Sequence, residues 1–239
     1  MFYVSSLKIK ARSGVYANGQ ERVVRILETA VDILIQDGFP SLTLREIARR
    51  MGIRVSAINH YYSTREDLVL DMLSGVLNSY EALFEPFHLP SEEPAEVRLR
   101  AFINTILDDI LTLNTTRLFP ELWALAGRDE HVARMVDAIY IRSRLLVTRF
   151  IGQINPSLDL RTRENLALFL TASLEGLTVF AGHGRPWAGE MEQQKAIACD
   201  CLIAMVKNAQ PSVAPDPSWT PPTMLDPNDY VDLTKGEAD

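Results

Sequence analysis

Residues 41–68 read SLTLREIARRMGIRVSAINHYYSTREDL, and this stretch decides the fold. Thr43 and Glu46 stand at the T-x-x-E spacing of a capping box, in which each side chain satisfies a free backbone N–H at a helix start. Leu42 and Ile47 occupy the two positions of a hydrophobic staple, which sets the angle at which the chain enters that helix. Gly52 ends it after about two turns, where a positive φ suits glycine. A second short helix begins near Val55. Ile47, Met51, Ile53, Ile58 and Tyr62 can then share a small core between two steeply crossed helices, with Ala48 small at their closest approach. The spacing therefore predicts a helix-turn-helix. Its second helix presents Val55, Ser56, Asn59 and His60 outward. Asn can pair bidentately with adenine, Ser is adaptable, and Val can meet a thymine methyl in a major groove wide enough for the helix. Arginines and the N–H groups at helix ends hold phosphates.

Charge agrees with that reading. The net charge of −7 divides into +5 over residues 1–65, with ten basic and five acidic side chains, and −12 over the remainder. A basic end on an acidic body suggests a polyanion-binding end. On either side of the motif the pattern is helical. Val23, Ile26, Leu27, Ala30 and Leu34 recur at helix spacing and Gly38 stops that helix. Further helices are predicted at about 44–51, 55–61 and 65–84. Pro86, Pro90 and Pro94 then mark a break. Beyond it Leu99, Phe102, Ile103, Ile106, Ile110 and Leu113 form a stripe, and helices follow at about 116–126, 130–154, 161–182 and 190–208. No strand-like alternation competes, so the fold is predicted to be all-α, with roughly nine helices.

Other classes are poorly supported. No uncharged run exceeds ten residues, the length of Asn165 to Leu174, about half a membrane span. The N-terminus lacks the apolar core of a signal peptide, which points to a soluble, cytoplasmic protein. Cys199 and Cys201 are two apart in a helical pattern, a spacing that disfavours both a mutual disulfide and a shared metal. His60, His88, His131 and His183 have no neighbours at metal-ligand spacing. No nucleophile elbow, P-loop or dinucleotide fingerprint occurs. The reading therefore calls for no enzyme activity, no metal and no cofactor.

With these residues in view, the segment over about 21–70 resembles the TetR family of bacterial transcriptional regulators: a first helix ILETAVDILIQDGF, then TLREIARRMGI, then the recognition segment and YYSTREDL. The resemblance implies a three-helix DNA-binding domain followed by a larger helical ligand-binding and dimerisation domain. It also implies that Thr43 and Arg45 contact the operator from the second helix. Arg54, Val55, Ser56, Asn59, His60 and Tyr61 would do so from the third, and Arg65 would hold a phosphate at the start of the fourth. The sequence departs from the family pattern where Arg54 replaces a frequent serine, Ser56 a frequent glycine and Asn59 a frequent tyrosine. Arg is a poor N-cap, a loss of about 1 kcal/mol for the third helix. Arg49 and Arg50 read as a solvated face, and Tyr62 as core.

The expected organisation is a flexible basic arm over 1–19, a DNA-binding domain over 20–66, a regulatory domain over 67–210 and a Pro-rich tail over 211–239. Lys8, Lys10 and Arg12 in the arm are candidates for a minor groove. Phe119-Pro120-Glu121-Leu122-Trp123 is expected to start a short helix. Phe102, Phe119, Trp123, Tyr140 and Phe169 are candidates to line an apolar ligand cavity, although a bundle of this size also needs aromatics to fill its core. Glu175 interrupts the apolar run from Leu166 to Phe180 and could meet a cationic ligand, a subunit interface or water. The resemblance further implies that the last two helices pair with a second copy, through Leu166, Leu170, Ser173, Leu177 and Phe180 and through Ile197, Cys201 and Ala204. The expected function is a ligand-responsive repressor that binds a palindromic operator as a homodimer. The alternatives are an effector-independent DNA-binding protein of the same fold or, less well supported, an all-α enzyme.

Overall fold

Apolar residues spaced three and four apart become the buried sides of helices in the computed structural model of the chain, which describes residues 7–9 and 17–211. Lys10, Arg12 and the tail from 212 onward lie outside the described residues. Among the described residues every regular element is helical, and no helix is long and apolar enough to cross a membrane. In order these are α1 (Ala17–Asp37), a 3-10 turn (Phe39–Ser41), α2 (Leu44–Met51), α3 (Val55–Asn59), α4 (Arg65–His88), α5 (Ala95–Ile110), α6 (Leu113–Ala126), α7 (Glu130–Ile154), α8 (Leu160–Ala181), a second 3-10 turn (Ala188–Glu190) and α9 (Met191–Asn208). The chain divides into two compact units. One takes in the described residues up to Ala82 together with Arg117–Ile139. The other takes in Leu83–Thr116 and the described residues from Tyr140 onward.

In the first unit, the predicted stripe of α1 (Val23, Ile26, Leu27, Ala30 and Leu34) is fully buried, as are Leu42, Ile47, Ile58, Tyr62, Leu68 and Met72. Each large apolar side chain withdrawn in this way contributes about 1.5–3 kcal/mol relative to exposure. The segment at residues 7–9 is pinned to α4. Leu7 is buried over Gly75, Ser79 Oγ accepts from the Lys8 N–H at 2.9 Å, and Asn78 Nδ2 donates to the Lys8 carbonyl at 3.0 Å. A Cβ on Gly75 would sit 3.0 Å from Leu7 Cγ, so the glycine is the notch that admits that side chain.

Several boundaries differ from expectation. α1 starts at Ala17, six residues before Val23, the first residue of the expected stripe. Pro86 does not break α4 but sits inside its last turn: the missing N–H forfeits one bond, to the Ala82 carbonyl, and the helix ends two residues later. The break falls at Pro90 and Pro94, the latter the N-cap of α5. Nor does Phe119-Pro120 start α6. Thr112 Oγ1 accepts from the Thr115 N–H at 3.2 Å, the helix begins at Leu113, and Pro120 is interior.

In the second unit, Phe102 of α5 lies against Phe84, Phe87 and Phe150, with ring centroids 5.1, 5.3 and 6.5 Å apart. Asp159 caps α8, accepting from the Thr162 N–H at 3.0 Å and the Thr162 hydroxyl at 2.9 Å. Helix α9 packs against α5 and α8. Arg100–Asp200 and Lys207–Glu96 pairs, at 2.8 and 2.7 Å, lie between α9 and α5 and, being half exposed, contribute about 0–1 kcal/mol each. The outward side of α8 follows the expected stripe only in part, with Leu166 and Leu177 half-buried. Leu170 is buried, whereas Leu168, Phe169, Ala172, Ser173, Val179 and Phe180 face solvent. On α9 the expected Ile197, Cys201 and Ala204 are exposed.

Candidate nucleic-acid interface

The local chemistry of the helix-turn-helix is visible atom by atom. Thr43, in extended backbone (φ −131°, ψ 152°), caps α2 by accepting the Glu46 N–H at 3.1 Å. The reciprocal half of the expected capping box is absent. Glu46 instead accepts from Arg49 at 2.7 and 2.6 Å and from Arg50 at 3.0 Å. These guanidinium bonds hold its carboxyl down at about 2, well below the usual carboxylate range. Charge-assisted bonds from two arginines outcompete one backbone N–H. The signal was present in the sequence as Glu46 followed by arginines three and four residues on. Arg50 also reaches Gln36 and Asp37, so Arg49 and Arg50 form an ion-paired face rather than a merely solvated one.

Gly52 closes α2 in the left-handed region (φ 65°, ψ 32°), and its N–H returns to the Ala48 and Arg49 carbonyls. Nothing lies within 4 Å of where its Cβ would be, so the glycine is required by φ and not by a close neighbour. Helix α3 is shorter than expected, ending at Asn59, and its N-cap Arg54 makes no side-chain capping bond.

Burial then separates the two sides of α3. Ile58 is fully buried, as is Tyr62 just beyond it, whose hydroxyl donates to Asp71 Oδ2. Arg54, Ser56, Asn59 and His60 are exposed; Val55 and Tyr61 are half-buried, and the His60 and Tyr61 rings meet edge to face at 5.1 Å. From α2, Thr43 and Arg45 are exposed beside them in sequence. Neither Arg45 nor Arg54 has an ion pair among the described residues. These two arginines can therefore meet phosphates without first breaking a bridge. The site carries one cationic edge and one row of short polar side chains, which is what holding a duplex backbone and reading base edges requires.

Arg65 is placed otherwise. Its guanidinium lies 3.7 Å over the Phe39 ring and donates through Nη2 to the Phe39 carbonyl, while Nε is buried without a partner. Burial pushes its pKa down.

The candidate ligand residues fall in both compact units. Phe119 packs edge to face on Tyr80 at 5.4 Å and beside Trp123 at 6.0 Å, in the first unit. Phe102 belongs to the closed aromatic cluster of the second. Phe169 is 59 % exposed, which puts it with the outward stripe of α8. Tyr140 and Glu175 do meet. Burial is the main reason that the Glu175 carboxyl is pushed up to about 7; the Tyr140 hydroxyl opposes the shift and Asp109 adds to it. Asp109 is itself buried and accepts from the Thr115 hydroxyl at 2.7 Å. One turn beyond Glu175, Thr178 is buried and its hydroxyl has no partner.

Comparison with known proteins fits this geometry. Residues 26–72 match the family model described as bacterial regulatory proteins, tetR family, and residues 95–206 match BetI-type transcriptional repressor, C-terminal. Together these span well over half of the chain. The chain is 21 % identical over 165 residues to the HTH-type transcriptional regulator BetI of Escherichia coli O17:K52:H18, a match covering 68 % of this chain and 83 % of that protein. It is 26 % identical over 118 residues to an uncharacterized HTH-type transcriptional regulator in the dhlA 5′ region of Xanthobacter autotrophicus, covering 48 % and 58 %. Among solved structures, a transcriptional regulator from Rhodococcus sp. Rha1 superposes with a TM-score of 0.64 at 20 % identity, over 77 % of this chain and 95 % of that one. A regulator from Saccharomonospora viridis in complex with choline gives 0.63 at 18 %, over 79 % and 97 %. At such identities the structural likenesses show the fold alone. The two family matches, with the capped helix-turn-helix between Thr43 and Tyr61, place the chain in the TetR family of transcriptional regulators, and it is a DNA-binding regulator rather than an enzyme.

Proposed function

We propose that the protein is a ligand-responsive repressor that binds a palindromic operator as a homodimer in the cytoplasm. The observation that carries this reading is the two-sidedness of α3: its apolar side is fully buried, and its polar side is open to a duplex. In this reading Asn59 and His60 read bases, and Ser56 and Val55 contribute shape and methyl contacts. Arg45 and Arg54 hold phosphates, with Thr43 and Tyr61 beside them. The outward apolar residues of α8 and α9 support a dimer, since a row of exposed Leu, Phe and Val is costly in water unless a second surface covers it. A two-fold protein reads two related half-sites.

The carboxyl of Glu175, beside Tyr140 and near Asp109, supports an effector carrying a positive charge. A cation would favour the ionised carboxylate that burial disfavours. Choline is the probe to use first, because a protein of this fold is known with it bound. An effector acts only if it binds one dimer geometry more tightly than the DNA-bound one.

Selection of bound duplexes from a random pool, followed by footprinting, tests the reading. A symmetric pair of half-sites is expected, with binding that weakens as salt rises. Sequence-independent binding contradicts it. The closed packing of Phe102 against Phe84, Phe87 and Phe150 favours a second reading, a regulator of the same fold that needs no effector. That reading predicts no thermal shift with choline or any other metabolite.

A further inference from the structure

The turn between α1 and α2 is held from a distance. Gly38 (φ 77°, ψ 171°) leads into the 3-10 turn Phe39–Ser41, and α2 begins directly after Leu42 and Thr43. The turn has no side-chain cap of its own. Its first N–H, that of Phe39, donates instead to Glu121 Oε2 at 3.0 Å, a carboxylate on α6 that lies 82 residues further along the chain. The same carboxylate sits where a Gly38 side chain would go: a Cβ there would be 3.1 Å from Glu121 Oε1. From the other side, the Phe39 carbonyl accepts from the Leu42 N–H at 3.0 Å and from Arg65 of α4, whose guanidinium covers the Phe39 ring. Both backbone groups of one residue are thus fixed, by α6 through the N–H and by α4 through the carbonyl. Glu121 itself stands on a well-anchored stretch of α6, with Leu118, Phe119 and Leu122 buried around it.

We infer that Glu121 is a positioning residue for DNA binding. It touches no nucleotide, but it fixes the Phe39 turn from which α2 leaves, and through the α2–α3 packing it sets where the recognition side of α3 points. An anionic acceptor on a part-buried N–H is a strong choice for this, because such bonds are shorter and stronger than neutral ones and leave a buried donor unsatisfied when removed. Reading half-sites demands that α3 sit within a fraction of an ångström of its productive placement, which a loose turn would not supply.

This inference rests on the DNA-binding reading, and the test separates the two. The wild-type protein is first used to select a duplex from a random pool. If it shows no preference for that duplex over a random one, the DNA-binding reading fails and takes the inference with it. With a selected duplex in hand, affinities for it and for a random duplex are measured for Glu121→Ala and Glu121→Gln, together with thermal melting and deuterium exchange at the Phe39 amide. The expected result is that Glu121→Ala melts as a folded protein, exchanges faster at Phe39 and loses about tenfold in affinity for the selected duplex. Its random-duplex affinity should stay within about twofold. Glu121→Gln, which retains an acceptor oxygen, should recover most of the loss. Glu121→Leu serves in place of the Ala variant should that one not fold. Three results overturn the inference: selected-duplex affinity unchanged despite faster exchange, equal weakening on both duplexes, or no rescue by Gln.

Discussion

Helices α2 and α3 differ from α8 and α9 in what they leave uncovered. In the first pair every large apolar side chain between Leu42 and Tyr62 is at least half withdrawn from water, and the exposed side holds Arg45, Arg54, Ser56, Asn59 and His60. In the second pair the inner side is equally buried, yet Leu168, Phe169, Val179, Phe180 and Ile197 still face outward. A face that is polar once its core is complete is suited to a polyanion; a face that is still apolar is suited to another protein. The same chain thus carries two kinds of unfinished surface, and the experiments that follow are aimed at one or the other.

The largest effect belongs to the core beneath the polar face. Ile58→Ala removes a fully buried side chain from a small domain and should cost about 2–5 kcal/mol, read in urea unfolding, with loss of DNA binding. The outward face of α8 should behave in the opposite way. Phe180 is 63 % exposed, so Phe180→Lys should leave the melting of the isolated chain nearly unchanged while sedimentation shifts toward monomer and operator affinity falls with it. Unfolding at reduced stability with no change in assembly would erase the contrast between the two surfaces.

The interior beside α8 offers a pH-dependent test. The Glu175 carboxyl is harder to ionise in the folded chain, at about 7, than at its ordinary 4.5, so the folded state binds more protons there. Its contribution is complete below about 4.5, declines as pH rises toward 7 and is flat above, a difference of about 3 kcal/mol at most. Glu175→Gln should remove this slope, so that the gap between variant and wild type widens with pH. A constant gap in melting temperature from pH 4 to 8 would contradict the placement of this carboxyl.

Smaller effects sharpen the comparison among arginines. Arg45→Ala should lower the slope of log affinity against log salt by about one per half-site, leaving melting unchanged. Arg65→Ala should do the reverse. It uncovers Phe39 and removes a bond to its carbonyl, a loss of about 1 kcal/mol in stability with little change in the salt slope.

What the sequence made legible follows the range of the forces involved. The start of α2 at Thr43, its stop at Gly52 and the inward Ile47, Ile58 and Tyr62 are fixed by neighbours within a few residues, and all could be read from spacing. The expected outward stripe of α8 departs from the structure at Leu170, which is buried. Periodicity identifies an apolar side but cannot say which side a neighbouring helix will take when both are apolar. Arg65 and Glu121 were illegible for a different reason. Each is committed by Phe39, 26 and 82 residues away along the chain, and no local pattern encodes such a pairing. The pocket candidates carry no distinguishing signal, because an aromatic that fills a core and one that lines a cavity have the same spacing.

The most direct test of the account is a selection from random DNA run in parallel with the wild-type protein and Asn59→Ala. The exposed side of α3 predicts two symmetric half-sites for the wild type, with the variant losing preference at one base step in each while random-duplex affinity is unchanged. Identical preferences for the two proteins, or a variant weakened equally on every sequence, would contradict the claim that this face reads bases.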